Sequence, residues 1–298
     1  MEKRRVHFRS DGLRLVGDLH VPDGAGPFSG VVITGPFSNV KEQVPATYAE
    51  ALARRGFAAL AFDHRSWGES EGTPRQHEDA AAKVADLRDA VSFLAGMADV
   101  DAGRIAVCGV CLGGVYASLF AAFDTRARAL ALIGSGYNQP ALMRERFGPQ
   151  AFDDLMAEFS AIAQRQYDTG HVEYWPAANP EGMPAGIPGP EGWSYYGTER
   201  GIRPNWDNRC TALSVKEELT VTAAHAYPLL ATTPLLIVHG TGDQACPLDD
   251  ARSAFDAASG PKELVTVDAT NHVDIYDRED LVTAAVDSAA AWFGEHLA

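Results

Sequence analysis

A chain of 298 residues with 46% hydrophobic content can bury a sizeable core, as one large α/β domain or two smaller ones. A formal net charge of -15 repels nucleic acid and anionic membranes, so neither is an expected partner. It leaves room for an anionic small substrate, because a local arginine cluster can override the mean field.

The N-terminal stretch MEKRRVHFRSDG is charged and has no apolar signal-peptide core. No apolar run approaches the ~18 residues of a membrane span. Cys108, Cys111, Cys210 and Cys246 show neither zinc-ligand spacing nor the density of a disulfide framework. The expectation is a cytoplasmic, reducing location, no metal and no cofactor. Monomer and homo-oligomer are both left open.

Short apolar runs alternate with amphipathic stretches, the pattern of a mostly parallel sheet covered by helices. Residues 5–9 and 13–21 read as antiparallel strands joined by a turn at Ser10-Asp11-Gly12. GVVITG (30–35) is the first buried strand; a helix follows, with Tyr48 and Leu52 on one face and Gly56 as its stop. AALAFD (58–63) is a strand, and the helix over about 78–97 carries Val84, Leu87, Val91 and Leu94 on one stripe. RIAVCG (104–109) is a strand that runs directly into a helix, and ALALIGS (129–135) is another strand.

The rhythm then breaks. Residues 138–229 are rich in Gly, Pro and aromatics, with one clear helical pattern around 150–167. That is too long for an ordinary connection, and it predicts a lid inserted into a core of 1–137 and 230–298. The core resumes with PLLIVHGTGD (234–243), a helix near 248–258, the strand KELVTVD (262–268) and a last helix burying Val282, Val286, Ala289 and Phe293.

Gly109-Val110-Cys111-Leu112-Gly113-Gly114 lies between a strand and a helix and fits the G-x-S-x-G nucleophile elbow, with cysteine in the serine position. A sharp strand-to-helix turn crowds the positions two residues either side, which therefore need glycine. The helix start turns free N–H groups and its positive end toward the sulfur, favouring a thiolate. Alone, the motif is also what a buried cysteine beside a glycine-rich helix start would look like. Cys108, inside the strand, has no elbow and is assigned to the core.

Two later loops supply partners. His239-Gly240-Thr241-Gly242-Asp243 follows a buried strand and offers Asp243 as the acid; Asn271-His272-Val273-Asp274 follows the next and offers His272 as the base. The order Cys111, Asp243, His272 is nucleophile, acid, base. His239 and His64 are read as structural, Asp249, Asp250 and Asp274 as solvated or capping. Cys246 is read as half-exposed near the acid loop, without a catalytic role. An oxyanion hole needs two backbone donors: the Leu112 N–H is one, and the turn after GVVITG supplies the other. Pro36 has no N–H, so Phe37 is chosen, with Ser38 second.

GVVITGPFSNVKEQ, FDHRSWGESEG, GVCLGG, HGTGD and NHVDIYD together resemble the landmark series of the α/β-hydrolase superfamily. They look most like the dienelactone hydrolase-related bacterial group, which also resembles the X-Pro dipeptidyl peptidase and acyl esterase branch. The resemblance implies an α/β-hydrolase fold. It also implies a Cys-His-Asp triad, which falls on Cys111, His272 and Asp243, and structural roles for Asp63 and Arg65. It covers roughly 5–135 and 232–297 and extends weakly into 195–209. Dienelactone hydrolase lacks a lid of this size, so its substrate is not carried over.

The expected partner is a small-molecule acyl substrate. A thiolate attacks activated acyl carbon well, so hydrolysis of an ester, lactone or thioester leads. Acyl transfer or cyclisation through the same acyl-enzyme is second, and a non-catalytic binder is a third class. In the lid, Trp193, Tyr195, Tyr196 and Trp206 either line the acyl pocket or anchor the lid to the core.

Overall fold

The computed structural model describes residues 1–298. In chain order the elements are β1 (Glu2–Ser10), β2 (Leu13–Val21), β3 (Phe28–Thr34), α1 (Val44–Ala53), β4 (Ala58–Asp63), α2 (Ala80–Ala95), β5 (Val100–Val110), α3 (Leu112–Ala121) and β6 (Ala129–Ile133). Then come α4 (Gln139–Phe147), α5 (Pro149–Thr169), β7 (Tyr174–Trp175), β8 (Ala178–Asn179), β9 (Ile187–Pro188), α6 (Pro190–Tyr196), β10 (Cys210–Thr211) and α7 (Ala212–Thr220). The last are β11 (Leu235–Gly240), α8 (Leu248–Ala257), β12 (Lys262–Val267), α9 (Asp274–Asp277) and α10 (Glu279–His296).

Eight strands form the central sheet in the order β1-β2-β4-β3-β5-β6-β11-β12. β2 runs antiparallel to both β1 and β4, and every other pairing is parallel. Each parallel crossover needs a covering helix, so both faces are buried and the inner strands are largely apolar. β4 and β11 are buried along their whole length. The β1–β2 hairpin closes at Asp11 and Gly12, both at positive φ, as a two-residue turn between right-twisted strands requires.

One correction concerns the insert. Only the helix around 150–167 was expected there, yet the stretch between β6 and β11 holds four: α4, α5, α6 and α7. The missed ones are seven to nine residues long. They are too short to show a repeating stripe, and α4 and α6 open on Pro, which reads equally as a turn signal. None of the helices is long and apolar enough to cross a membrane.

The insert is tied down over the carboxyl edge of the sheet. Gln43 donates to the Gly201 carbonyl at 2.6 Å, Arg203 to the Glu42 carbonyl at 3.0 Å, and Arg200 pairs with Asp277 at 2.6 Å. Beneath it, Lys41 is fully buried. Its backbone N–H reaches Asp63 at 2.7 Å and its ammonium reaches the same carboxylate at 2.9 Å. A buried charge is tolerated only when paired, so this ion pair pins the turn after β3 to the end of β4. Arg65 likewise joins Asp86, Ser10 and Asp11.

Candidate active site

β5 delivers Cys111 to the carboxyl edge, and α3 starts at the next residue. Cys111 has φ 54°, the left-handed region that a non-glycine residue rarely occupies. The turn is tight enough that a Cβ on Gly109 would lie 2.5 Å from the Gly114 Cα, and one on Gly113 would collide with the Thr34 carbonyl. Both glycines therefore permit the approach of chain segments that holds Cys111 up at the edge of the sheet.

β11 and β12 bring the two other loops to the same edge. His272 is almost wholly buried, and its Nδ1 lies 2.6 Å from Asp243 Oδ2. An ionised carboxylate only accepts, so Nδ1 carries the proton and donates it, leaving Nε2 for chemistry. Nε2 has no nitrogen or oxygen partner, and the imidazole interacts instead with the Cys111 thiol. Three contacts hold this loop. Glu191 of α6 accepts the His272 backbone N–H at 2.5 Å, Cys246 donates its backbone N–H to Asp243 at 2.8 Å, and Tyr48 donates to the Ile275 carbonyl at 2.7 Å.

The electrostatics favour an ion pair. Cys111 is held well below the ordinary thiol range, chiefly by a hydrogen bond from the Cys246 thiol. Burial opposes this, while the His272 charge and the Tyr276 hydroxyl reinforce it. Burial alone would depress His272, but Asp243 and the Cys111 thiolate outweigh it and hold the imidazole well above its usual value. The Cys246 thiol is raised by its bond to Cys111 and by burial, so it stays a protonated donor. Cys108, by contrast, is fully buried in its strand and pushed up to about 12.

These directions predict a pH profile. A depressed thiol keeps its thiolate as pH falls below the free-cysteine value of about 8.5, and a raised imidazole keeps its proton above about 6.5. Alkylation of Cys111 by iodoacetamide, counted by intact mass, should therefore show its inflection well below the ordinary thiol value. Cys246→Ala should move that inflection up, and Cys246→Ser, which keeps a donor, should move it less. An inflection indifferent to both changes removes Cys246 from the site.

Cys246 and Tyr276 are the residues that sequence reasoning missed. Cys246 was expected half-exposed but is buried, because the loop after Asp243 folds back under His239. Tyr276 sits on α9, within the NHVDIYD segment, with its ring 5.3 Å from that of His272. Asp274 was read as solvated or capping; it is buried and accepts from Asn271 and Arg278. His239 is fully buried with both ring nitrogens engaged, by the Cys246 carbonyl at 2.6 Å and the Tyr137 hydroxyl at 3.2 Å. His64 is buried too, with Nε2 on the Thr34 hydroxyl at 3.0 Å and Nδ1 3.5 Å from the Asp86 carboxylate.

The backbone N–H groups of Leu112 and Phe37 donate to no other backbone group. Phe37 borders the cavity beside Cys111, on the turn held by Lys41 and Asp63. The cavity has a volume of about 390 Å³, and 14 of its 24 lining residues are hydrophobic, so it suits an apolar chain. Cys111, His272, Cys246 and Tyr276 all border it, as do residues of α4, α6 and α7 of the insert. No group of three or more His, Cys, Asp or Glu side chains is placed to hold a metal ion.

Of the four aromatic residues singled out in the insert, Tyr196 alone lines this cavity. Trp206 is stacked on Tyr196 and donates to the Ser38 carbonyl at 2.6 Å. Tyr195 packs edge-on against Tyr196 and Tyr276, and Trp193 is half-buried away from the cavity. Tyr195 and Trp206 thus join insert to core. Trp206→Ala should lower the melting temperature and slow all substrates alike, at a cost typical of a lost buried aromatic, about 3–5 kcal/mol. Tyr196→Ala should in addition change the ranking of short and long acyl chains. A melting curve beside a chain-length series separates the two.

The Alpha/beta hydrolase family model matches residues 31–285. The chain is 30% identical to the uncharacterized protein PA2218 of Pseudomonas aeruginosa, over 100% of this chain and 81% of the relative. The crystal structure of PA2218 superposes with a TM-score of 0.86, covering 99% and 94% of the two chains. The chain is also 29% identical to the thiohydrolase aneE of Aspergillus aculeatus (88% of this chain, 83% of the relative). To the polyketide transferase claH of Penicillium crustosum it is 28% identical, over 92% of each. The family model covers most of the chain, the sheet order and the relatives agree with it, and the chain belongs to the alpha/beta hydrolase family.

Proposed function

We propose that this chain is a hydrolase that cleaves an activated acyl substrate, foremost a thioester, through a covalent acyl-Cys111 intermediate. The observation that carries the reading is the Asp243–His272 hydrogen bond of 2.6 Å, with the unpartnered Nε2 of His272 and a Cys111 held at a strained elbow bordering one cavity. The Cys111 thiolate attacks the carbonyl carbon. The negative charge moves onto the carbonyl oxygen, where the Leu112 and Phe37 N–H groups receive it. The tetrahedral intermediate collapses, the bond to the leaving thiol breaks, and His272 returns a proton to it. A water then gives its proton to His272, attacks the thioester carbonyl and releases the acid and the free thiolate. Thioesters lead over amides because a thiol leaves without the strong acid that an amine requires. A relative named as a thiohydrolase supports that order.

Acyl transfer is the second reading, favoured by a relative named as a polyketide transferase and by the largely apolar cavity beside Cys111. There an alcohol or carbon nucleophile replaces water in the second half. The test is mass spectrometry of the protein mixed rapidly with a thioester panel. The proposal expects an acyl adduct on the peptide containing Cys111, followed by free acid; an acyl–acceptor product made in preference to acid would favour transfer. A panel that gives turnover with no adduct at Cys111 sinks the covalent reading.

A further inference from the structure

The cavity that Cys111 borders is also lined by two polar side chains with buried oxygens that nothing in the protein satisfies. On α7, Val215, Glu218 and Leu219 all border the cavity, the spacing of one helical stripe. The flanking residues are aliphatic, and a carboxyl between them is out of pattern. Departures of this kind from the local rule concentrate at functional sites. Glu218 Oε2 is buried and has no hydrogen-bond partner. No cation pairs with it; burial, the Cys111 thiolate and the Glu78 carboxylate all push it well above the ordinary carboxyl range. The lysine nearest in chemistry, Lys83, is taken up by Glu78 at 2.5 Å. Glu218 thus presents to the cavity a carboxyl biased toward its protonated form, in which it offers one donor and one acceptor.

The second group is Gln139, in the first turn of α4. It is 5% exposed, borders the same cavity, and its Oε1 is buried without a partner. Leaving a buried donor or acceptor unpaired is costly. Two such groups in one largely apolar cavity make sense if a ligand completes them. A plain hydrocarbon chain would leave both unsatisfied, and a site built to bond a substrate hydroxyl strongly rejects the analogue that lacks it.

We infer that Glu218 and Gln139 read oxygen on the acyl chain: the Glu218 carboxyl hydrogen-bonds a hydroxyl of the substrate, Gln139 Oε1 accepts from a hydroxyl, and the preferred substrate is a hydroxyacyl rather than a saturated acyl thioester. The inference rests on the acyl-cysteine reading for where the chain lies, so its test is made independent of turnover. Amide isosteres of the thioesters, which resist cleavage, are titrated into the intact protein by calorimetry. The series has matched chain lengths, saturated or with a hydroxyl at successive positions.

The expected result is a Kd at least tenfold tighter for one hydroxyl position than for the saturated chain. Glu218→Leu and Gln139→Leu should each bring that ratio toward one, with Glu218→Gln intermediate because its amide still donates. Infrared difference spectra of wild type against Glu218→Gln should show the carboxylic-acid C=O band of Glu218 at neutral pH. Equal affinities at every position, or a preference that survives both leucine variants, overturns the inference. So does a carboxylate band in place of the acid. None of these outcomes depends on Cys111 chemistry, which the adduct experiment reads separately.

Discussion

Cys111→Ala should abolish covalent labelling by thioester or iodoacetamide and lower turnover by more than about 10³-fold, the order of loss when a triad nucleophile is removed. The fold should survive. Alanine keeps the Cβ and the chain direction at a position whose φ of 54° is imposed by its neighbours. The sulfur lost is half-buried at the cavity wall and leaves no void inside the core. Circular dichroism and a melting curve should match wild type. Removing the thiolate also removes one of the charges that raise His272, so the imidazole should titrate lower in this variant. Cys111→Ser should be active but slower, because a hydroxyl has no ready anion and depends on His272 for every proton. Wild-type rates in Cys111→Ala would end the assignment of the nucleophile.

Asp243→Asn is the second large effect, expected to lower turnover by about 10³–10⁴-fold by analogy with the loss of the acid in a serine-protease triad. The asparagine fits the same space, but its amide can donate to Nδ1 and so favours the tautomer with the proton on Nε2. His272→Ala should be as damaging to rate and is a less clean test. It strands the Asp243 carboxylate, which is buried and would keep only the Cys246 N–H. That raises a stability cost on top of the kinetic one.

The pair also links stability to pH. Asp243 is held below the ordinary carboxyl range: burial pushes it up, but His272 pulls it down further. Its contribution is therefore present at neutral pH and lost as pH falls through the depressed value. His272 is raised, so its contribution is present at low pH and lost as pH rises through the raised value. Melting temperature against pH should show both losses in wild type, and Asp243→Asn should flatten the acid side. A variant with wild-type turnover would send the search for a base elsewhere. His239, with both nitrogens occupied, would have to be freed first.

The central sheet was legible because its signals are local. Buried parallel strands such as AALAFD are short apolar runs whatever they pack against, and that run is β4 residue for residue. The elbow was legible because a steric constraint over a few residues, Gly109 to Gly113, leaves glycines at fixed spacing. The acid and base loops follow from the same logic, since consecutive parallel strands must deliver their ends to one edge. What the chain could not display along its length is what meets across it. Cys246 against Cys111 and Glu191 on the His272 backbone come from segments far apart in sequence, and Tyr276 reaches the imidazole only because the short α9 turns back beside it. No periodicity marks such a contact. The insert was the least readable part, because helices facing a cavity need not carry a repeating apolar stripe. Trp193, Tyr195 and Trp206 look alike as sequence, and packing alone separated them from Tyr196. Nothing along the sequence singles out Glu218 and Gln139, since the cost of an unpaired polar atom arises only when folding removes water from it.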